Sequence, residues 1–213
     1  MNFQDFPELV LLTSTKRDGN MSLVRGDGEG AVNRKKFLQS KKITFESVVP
    51  LRTIHRNKVH KVTTRDSSRG LENSKTAIKA DAVITNEKDI YLLIRTADCL
   101  PIAVYDPENK AIGLIHASRH NISKIIKNTI QEMKNNFGNR PEDLVVGIGP
   151  SIGPCHYEID LWRIAEEELE KLGIKNIYNP KICTYESKDY FSRRRSIKEN
   201  LVDNYFATIF GMK

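Results

Sequence analysis

Cys99 and His116 are the two residues of this chain whose types and placement offer the most chemistry. Cys99 lies in Thr96-Ala97-Asp98-Cys99-Leu100-Pro101, at the end of one apolar segment, and His116 closes a second, Ala111-Ile112-Gly113-Leu114-Ile115-His116. Between them Asp106-Pro107-Glu108-Asn109 has the make-up of a type I turn, with Asp first and Pro pre-set second. A hairpin centred between Pro107 and Glu108 sets Cys99 opposite His116, to within a residue or two. A soft thiolate beside an imidazole suits a metal ion or a nucleophile–base pair. The plain alternative is packing, because free cysteine is among the most buried residue types.

These two residues need a scaffold, and the chain is long enough to supply one. Its 213 residues predict one domain over 1–213, and 39% hydrophobic with 29% charged residues suits a globular protein. No run of about 18 apolar residues exists to span a membrane. The first twenty residues lack the basic start and cleavage site of a secretory signal. Cys99, Cys155 and Cys183 stand far apart, which predicts free thiols and a reducing cytoplasm. Cys155, Cys183 and His156 read as structural.

A net charge of +7 is compatible with nucleic acid, an anionic substrate or a lysine-rich surface. The basic residues are scattered apart from Arg193-Arg194-Arg195, and no aromatic-rich basic motif accompanies them. Nucleic-acid binding is therefore not the expected role.

Taken in order, 7–13 predicts a first strand, 16–20 a turn and 21–24 a short strand. Asp27 to Gly30 predicts a loop, followed by a helix over 31–40 with Val32, Phe37 and Leu38 on one face. A strand follows over 43–51, then a turn and strand carrying His55 and His60. The polar stretch 63–76 predicts a mobile loop. Short apolar segments at 80–85 and 90–94 lead into the central hairpin. The clearest helix begins after Asn121, with Ile122, Ile125, Ile126, Ile130, Met133 and Phe137 at helical spacing and Gly138 as its stop. Beyond it come a buried strand at 144–148, a Gly-Pro turn at 149–155, and a helix opened by Asp160 and closed by Gly173. A strand at 182–185 and a last helix over 197–210 complete the reading. Interspersed strands and helices with hairpins predict an α+β domain, a mixed sheet flanked by helices.

Four blocks, in order, resemble the laccase-domain family, also called YfiH-like or polyphenol oxidase-like. They are Ala80-Asp81-Ala82, the Thr96–Pro101 run, His116-Ala117, and Gly149-Pro150-Ser151-Ile152-Gly153-Pro154. Cys183-Thr184 and Tyr190-Phe191-Ser192 with its arginines are similar to the family's C-terminal block, and Asn33-Arg34 to a weaker N-terminal one. Thr53-Ile54-His55-Arg56 matches the position of a further family histidine, with His60 in reserve.

The resemblance implies a site of His55, Cys99 and His116, serving both as metal ligands and as catalytic residues. Such a set gives zinc three ligands and leaves a fourth position open. Copper is the alternative metal. The implied activity is phosphorolysis of adenosine, inosine or guanosine, with phosphate as co-substrate, or deamination of adenosine. By placement, Arg119 and His120, just past His116, are expected to bind phosphate, and Asp98, beside Cys99, to serve the departing base; the plain alternative for Asp98 is a strand-end residue that orients His116 or bonds backbone. Peptidoglycan-precursor editing, copper-dependent polyphenol oxidation, and a catalytically altered metal-binding homologue are the alternatives. A multicopper array needs more histidines than the five present. One departure bears on substrate: the family's Gly-Trp-Arg-Gly after His-Ala is here Ser118-Arg119-His120-Asn121. The oligomeric state is left open.

Overall fold

The computed structural model describes residues 3–26 and 28–213. Its strands are β1 (Leu9–Thr13), β2 (Val48–Arg52), β3 (Val59–Lys61), β4 (Ile78–Lys79), β5 (Ala82–Thr85), β6 (Tyr91–Thr96), β7 (Leu100–Asp106), β8 (Ala111–Ala117), β9 (Val145–Ile148), β10 (Asn176–Tyr178) and β11 (Phe206–Met212). Its α-helices are α1 (Gly30–Ser40), α2 (Ile122–Phe137), α3 (Leu161–Lys171) and α4 (Arg193–Lys198). The strands form two mixed sheets, ordered β1-β11-β6-β2-β4 and β10-β9-β7-β8-β5-β3. The α+β expectation holds, with two sheets where the sequence suggested one.

The sheets pack face to face. Val49, Leu92, Ile94 and Phe210 of the first meet Ala103, Tyr105, Ile112 and Leu114 of the second. Outside the first sheet lies α1, through Phe37 and Leu38 against Leu93 and Ile209. Outside the second lie α2 and α3, through Ile126, Ile130 and Leu169 against Ile102, Val104 and Ile115. Every residue of β7 and β8 is buried, because both faces of that hairpin are covered.

This layering positions the chemistry. Side chains alternate along a strand, so His116 shares a face of β8 with Ile112 and Leu114, the face toward the other sheet. It thus sits at one end of the seam between the sheets. The hairpin register is offset from the expected one: Pro101 faces His116, and Asp106 faces Ala111. Four residues, not two, separate the strands, and Cys99 lies one residue before β7 begins.

Other elements depart from expectation too. Residues 21–24 are irregular, with bends from 23, and not a strand, and Asp27 of the expected loop lies outside the described residues. Helix α1 buries Phe37 and Leu38 but turns Val32 outward at 47% exposure; Arg34 takes the inner position. The Arg34 guanidinium donates to the carbonyls of Met21, Gly70 and Leu71. Those bonds, with the buried Leu71, tie down the 63–76 loop expected to be mobile. Residues 182–185 make only an isolated bridge, Ser151 to Cys183, and β10 takes the strand position instead. The largest difference is at 197–210. Helix α4 stops at Lys198, Asn200 takes φ 53°, and the chain then enters β11 between β1 and β6. A strand buried on both faces reads as an apolar run with no distinguishing period. Its aromatic and β-branched residues, Phe206, Thr208, Ile209 and Phe210, were the usable sign.

Candidate metal centre

Three segments far apart in sequence deliver the trio. His116 comes from the end of β8, Cys99 from the tight connection between β6 and β7, and His55 from the turn after β2. One ligand atom from each lies within 4.8 Å of the others. The two imidazoles meet edge to face, with ring centroids 5.0 Å apart and planes at 89°. His60 is not part of this group; it lies on β3 with Nε2 3.3 Å from the Asp66 carboxylate.

Two aspartates brace the trio. His55 takes φ 54°, a left-handed conformation that non-glycine residues adopt only at a cost. Asp81, fully buried beside β5, holds it there: its carboxylate accepts the N–H groups of Ile54, His55 and Arg56 at 2.8, 2.7 and 2.7 Å. The Asp81 carbonyl in turn accepts the His116 N–H at 2.7 Å, so one residue ties both histidines. Asp98 plays the matching part for Cys99. It also takes a positive φ, 88°. Its carboxylate accepts the Thr184 hydroxyl and the Arg194 N–H, both at 2.7 Å, and its carbonyl accepts the Ile152 N–H. Both Asp98 oxygens are therefore engaged in positioning the Cys99 turn.

Burial dominates the electrostatics. It pushes His116 down to about 3, helped by His55 and Arg95, so its imidazole is neutral. Burial also lowers His55 against the opposing pull of Asp81. It pushes the Cys99 thiol up to about 12, with Asp98 adding to the effect. His116 Nδ1 is buried and has no hydrogen-bond partner among the described residues. An orphaned imidazole nitrogen costs free energy unless something fills its lone pair. Neutral imidazoles and a thiol that a cation would ionise are a donor set that fits a zinc or copper ion.

The trio lies in a cleft of about 730 Å³. Arg95, Arg119, Arg193 and Arg194 make its wall cationic, and Tyr157 and Tyr205 add ring faces. Arg95 Nε is buried and unpartnered among the described residues. Arg119 and His120, the expected substrate-binding pair, both line the cleft; Arg119 Nε stands 3.1 Å from His120 Nε2 and its guanidinium pairs with Glu158. The altered 118–121 loop needs no glycine here, since none of its four residues takes a positive φ. Asn121 Oδ1 accepts both the N–H and the hydroxyl of Ser118, closing the turn with a side chain. Sequence reasoning quoted Ala80-Asp81-Ala82 as a block but gave Asp81 no role. It missed Arg95 and Tyr205 entirely, for neither stands in a motif.

A family model described as multi-copper polyphenol oxidoreductase laccase matches residues 13–160 and 156–201. Purine nucleoside phosphorylase YlmD of Bacillus subtilis is 33% identical over 136 residues, covering 63% of this chain and 49% of that protein. The match thus spans about half the length of that relative. The purine nucleoside phosphorylase of Bacteroides thetaiotaomicron is 29% identical over 213 residues, covering 83% of this chain and 79% of that protein. In fold the chain is similar to the crystal structure of the Bacillus licheniformis hypothetical protein YfiH, with a TM-score of 0.92 and 24% identity over 99% of this chain and 95% of that one. YlmD from Geobacillus stearothermophilus gives 0.88 at 24% identity, over 98% of this chain and 93% of that one.

Proposed function

Because the chain belongs to the laccase-domain family, we propose that it is a purine nucleoside phosphorylase whose zinc ion is held by His55, Cys99 and His116. The observation that carries this reading is the convergence of those three ligand atoms within 4.8 Å, in a cleft walled by arginines. Zinc, when bound, supplies a Lewis acid with an open fourth position for an oxygen ligand.

The chain's own side chains do the rest. Phosphorolysis breaks the bond from ribose to base, joins a phosphate oxygen to the same carbon, and returns a proton to the base. Phosphate needs cationic donors on one face of the ribose. Arg119 and Arg193 line the cleft and offer charge-assisted hydrogen bonds. His120, on the same wall, is an imidazole able to pass a proton to the departing base. Tyr157 and Tyr205 give the purine flat apolar surfaces to lie against. Asp98 is a positioning residue, since Thr184 and Arg194 already occupy its carboxylate. The reading places the reaction in the cytoplasm, where the three free cysteines stay reduced.

Purified protein incubated with inosine or adenosine, followed by chromatography, tests this. Free base and ribose 1-phosphate are expected only when phosphate is present. Cys99→Ala should lose turnover while its circular dichroism stays unchanged. Undiminished turnover in Cys99→Ala would sink the mechanism. Inosine formed from adenosine without phosphate would move the reading to deamination.

A further inference from the structure

A second set of soft ligands lies outside the cleft. Cys155, His156 and Glu186 each offer one ligand atom, and these lie within 4.8 Å of one another. Cys183 Sγ is not one of that converged trio but stands 3.5 Å from Cys155 Sγ, where it can complete the set. From this arrangement we propose a second, structural zinc site built by Cys155 and His156 on the Gly-Pro turn and by Cys183 and Glu186 on the turn facing it. The pairs are adjacent residues and a Cys-x-x-Glu, separated by a long connection that the fold closes.

Three features favour a metal over a simple thiol contact. Two thiolates on one tetrahedral zinc, each at about 2.3 Å, stand roughly 3.8 Å apart, close to the separation present. Cys183 Sγ already accepts the N–H of Gly153 at 3.3 Å, a bond that supports a thiolate. A Cβ at Gly153 would lie 2.4 Å from the Trp162 ring, so only glycine brings that amide into place. A disulfide would use neither of the other two groups, yet His156 Nε2 and Glu186 Oε1 are 3.4 Å apart beside the thiols. His156 is further fixed by stacking on Tyr185, centroids 3.9 Å apart. On binding, both thiols give up their protons to solvent and the sulfurs become zinc ligands.

The site's role follows from what it joins. Ser151 and Thr184 are bonded backbone to backbone across the two turns, and Thr184 donates its hydroxyl to Asp98. A metal here clamps the turn pair on which the Asp98–Cys99 segment rests. The site stands independently of the nucleoside reading.

Cobalt(II) titration of the Cys99→Ala protein, kept reduced, tests it, because the cleft then lacks its thiolate. One equivalent of cobalt with sulfur-to-cobalt charge-transfer absorption is expected. Adding Cys155→Ser should weaken that absorption, and Cys155→Ser with Cys183→Ser should abolish it. His156→Ala should weaken binding at least about tenfold, since even outer partners of a metal site carry about 10- to 100-fold. Circular dichroism checks that each variant folds, and Cys155 is exposed enough to tolerate serine. The proposal is overturned if Cys99→Ala shows no such absorption, if the absorption survives loss of both Cys155 and Cys183, or if non-reducing mass analysis of zinc-grown protein finds a Cys155–Cys183 disulfide.

Discussion

The two cysteine–histidine groups differ in how they are held. In the cleft, His55, Cys99 and His116 arrive from three distant segments, and each is fixed by hydrogen bonds that involve no ligand atom. Outside the cleft, Cys155 with His156 and Cys183 with Glu186 come from two turns that backbone bonds join at Ser151, and their side chains meet in pairs, thiol to thiol and imidazole to carboxylate. The first arrangement is prepared before any ion arrives, which is what a reacting centre requires. In the second, as proposed, an ion would add a clamp to turns already joined by backbone bonds, as structural sites do.

The sharpest way to break this contrast is to remove the brace. Asp81→Ala deletes the acceptor for three N–H groups around a left-handed His55. Zinc affinity of the cleft is expected to fall by at least about tenfold, and unfolding stability by at least about 3 kcal/mol, since bonds to a buried charge are each worth about 1.5–3 kcal/mol. Isothermal titration and urea unfolding measure the two. Wild-type zinc affinity in Asp81→Ala would show that the His55 turn keeps its shape unaided.

Acid offers the next test, on metal-free protein. Folding holds His116 near 3, well below the ordinary value of about 6.5 that it regains when unfolded. The stability from keeping this imidazole neutral is therefore complete above about 6.5 and lost as pH falls through about 3. Urea midpoints at pH 7 and pH 4 should fall further in the native protein than in His116→Leu. Equal losses would remove His116 as the acid-sensitive group.

The smallest effect is local. Chelation should speed hydrogen exchange at the Thr184 and Ser187 amides by roughly tenfold. These amides bond Ser151 and Cys183 across and within the clamped turns. The His55 and Arg56 amides, bonded to Asp81, should stay protected. Equal loosening of both sets would erase the distinction.

The sequence made the central hairpin and α2 legible because local signals agreed there. Asp106-Pro107 marked the turn, and Asn121 and Gly138 bounded a strongly periodic helix. The register slipped by two residues because the turn spans four residues, from Pro107 to Lys110, and Lys110 takes φ 48°. Strand β11 was misread as helix because both its faces are buried, so its alternation carries no polar marks. In the cleft, His55, Cys99 and His116 stood out by residue type and motif. Asp81 stands in no catalytic motif; its carboxylate holds backbone N–H groups 25 to 27 residues away and its carbonyl that of His116, which no spacing rule reveals. His156 read as structural because no second ligand pair stood at zinc spacing; Cys183 and Glu186 come to lie 3.5 Å from Cys155 Sγ and 3.4 Å from His156 Nε2 only after folding.

The position of β11 also governs how the chain must fold. It lies between β1 and β6, and Thr13 touches Thr208 across 195 positions of sequence. The first sheet therefore stays split until this strand arrives, with the edges of β1 and β6 open in the meantime. Joining ends so far apart costs loop entropy that local contacts cannot offset early. On a ribosome the hairpin sheet with α2 has its partners within reach well before the other sheet can close. Nascent chains of this protein should accordingly carry one finished sheet and one unfinished, adhesive one.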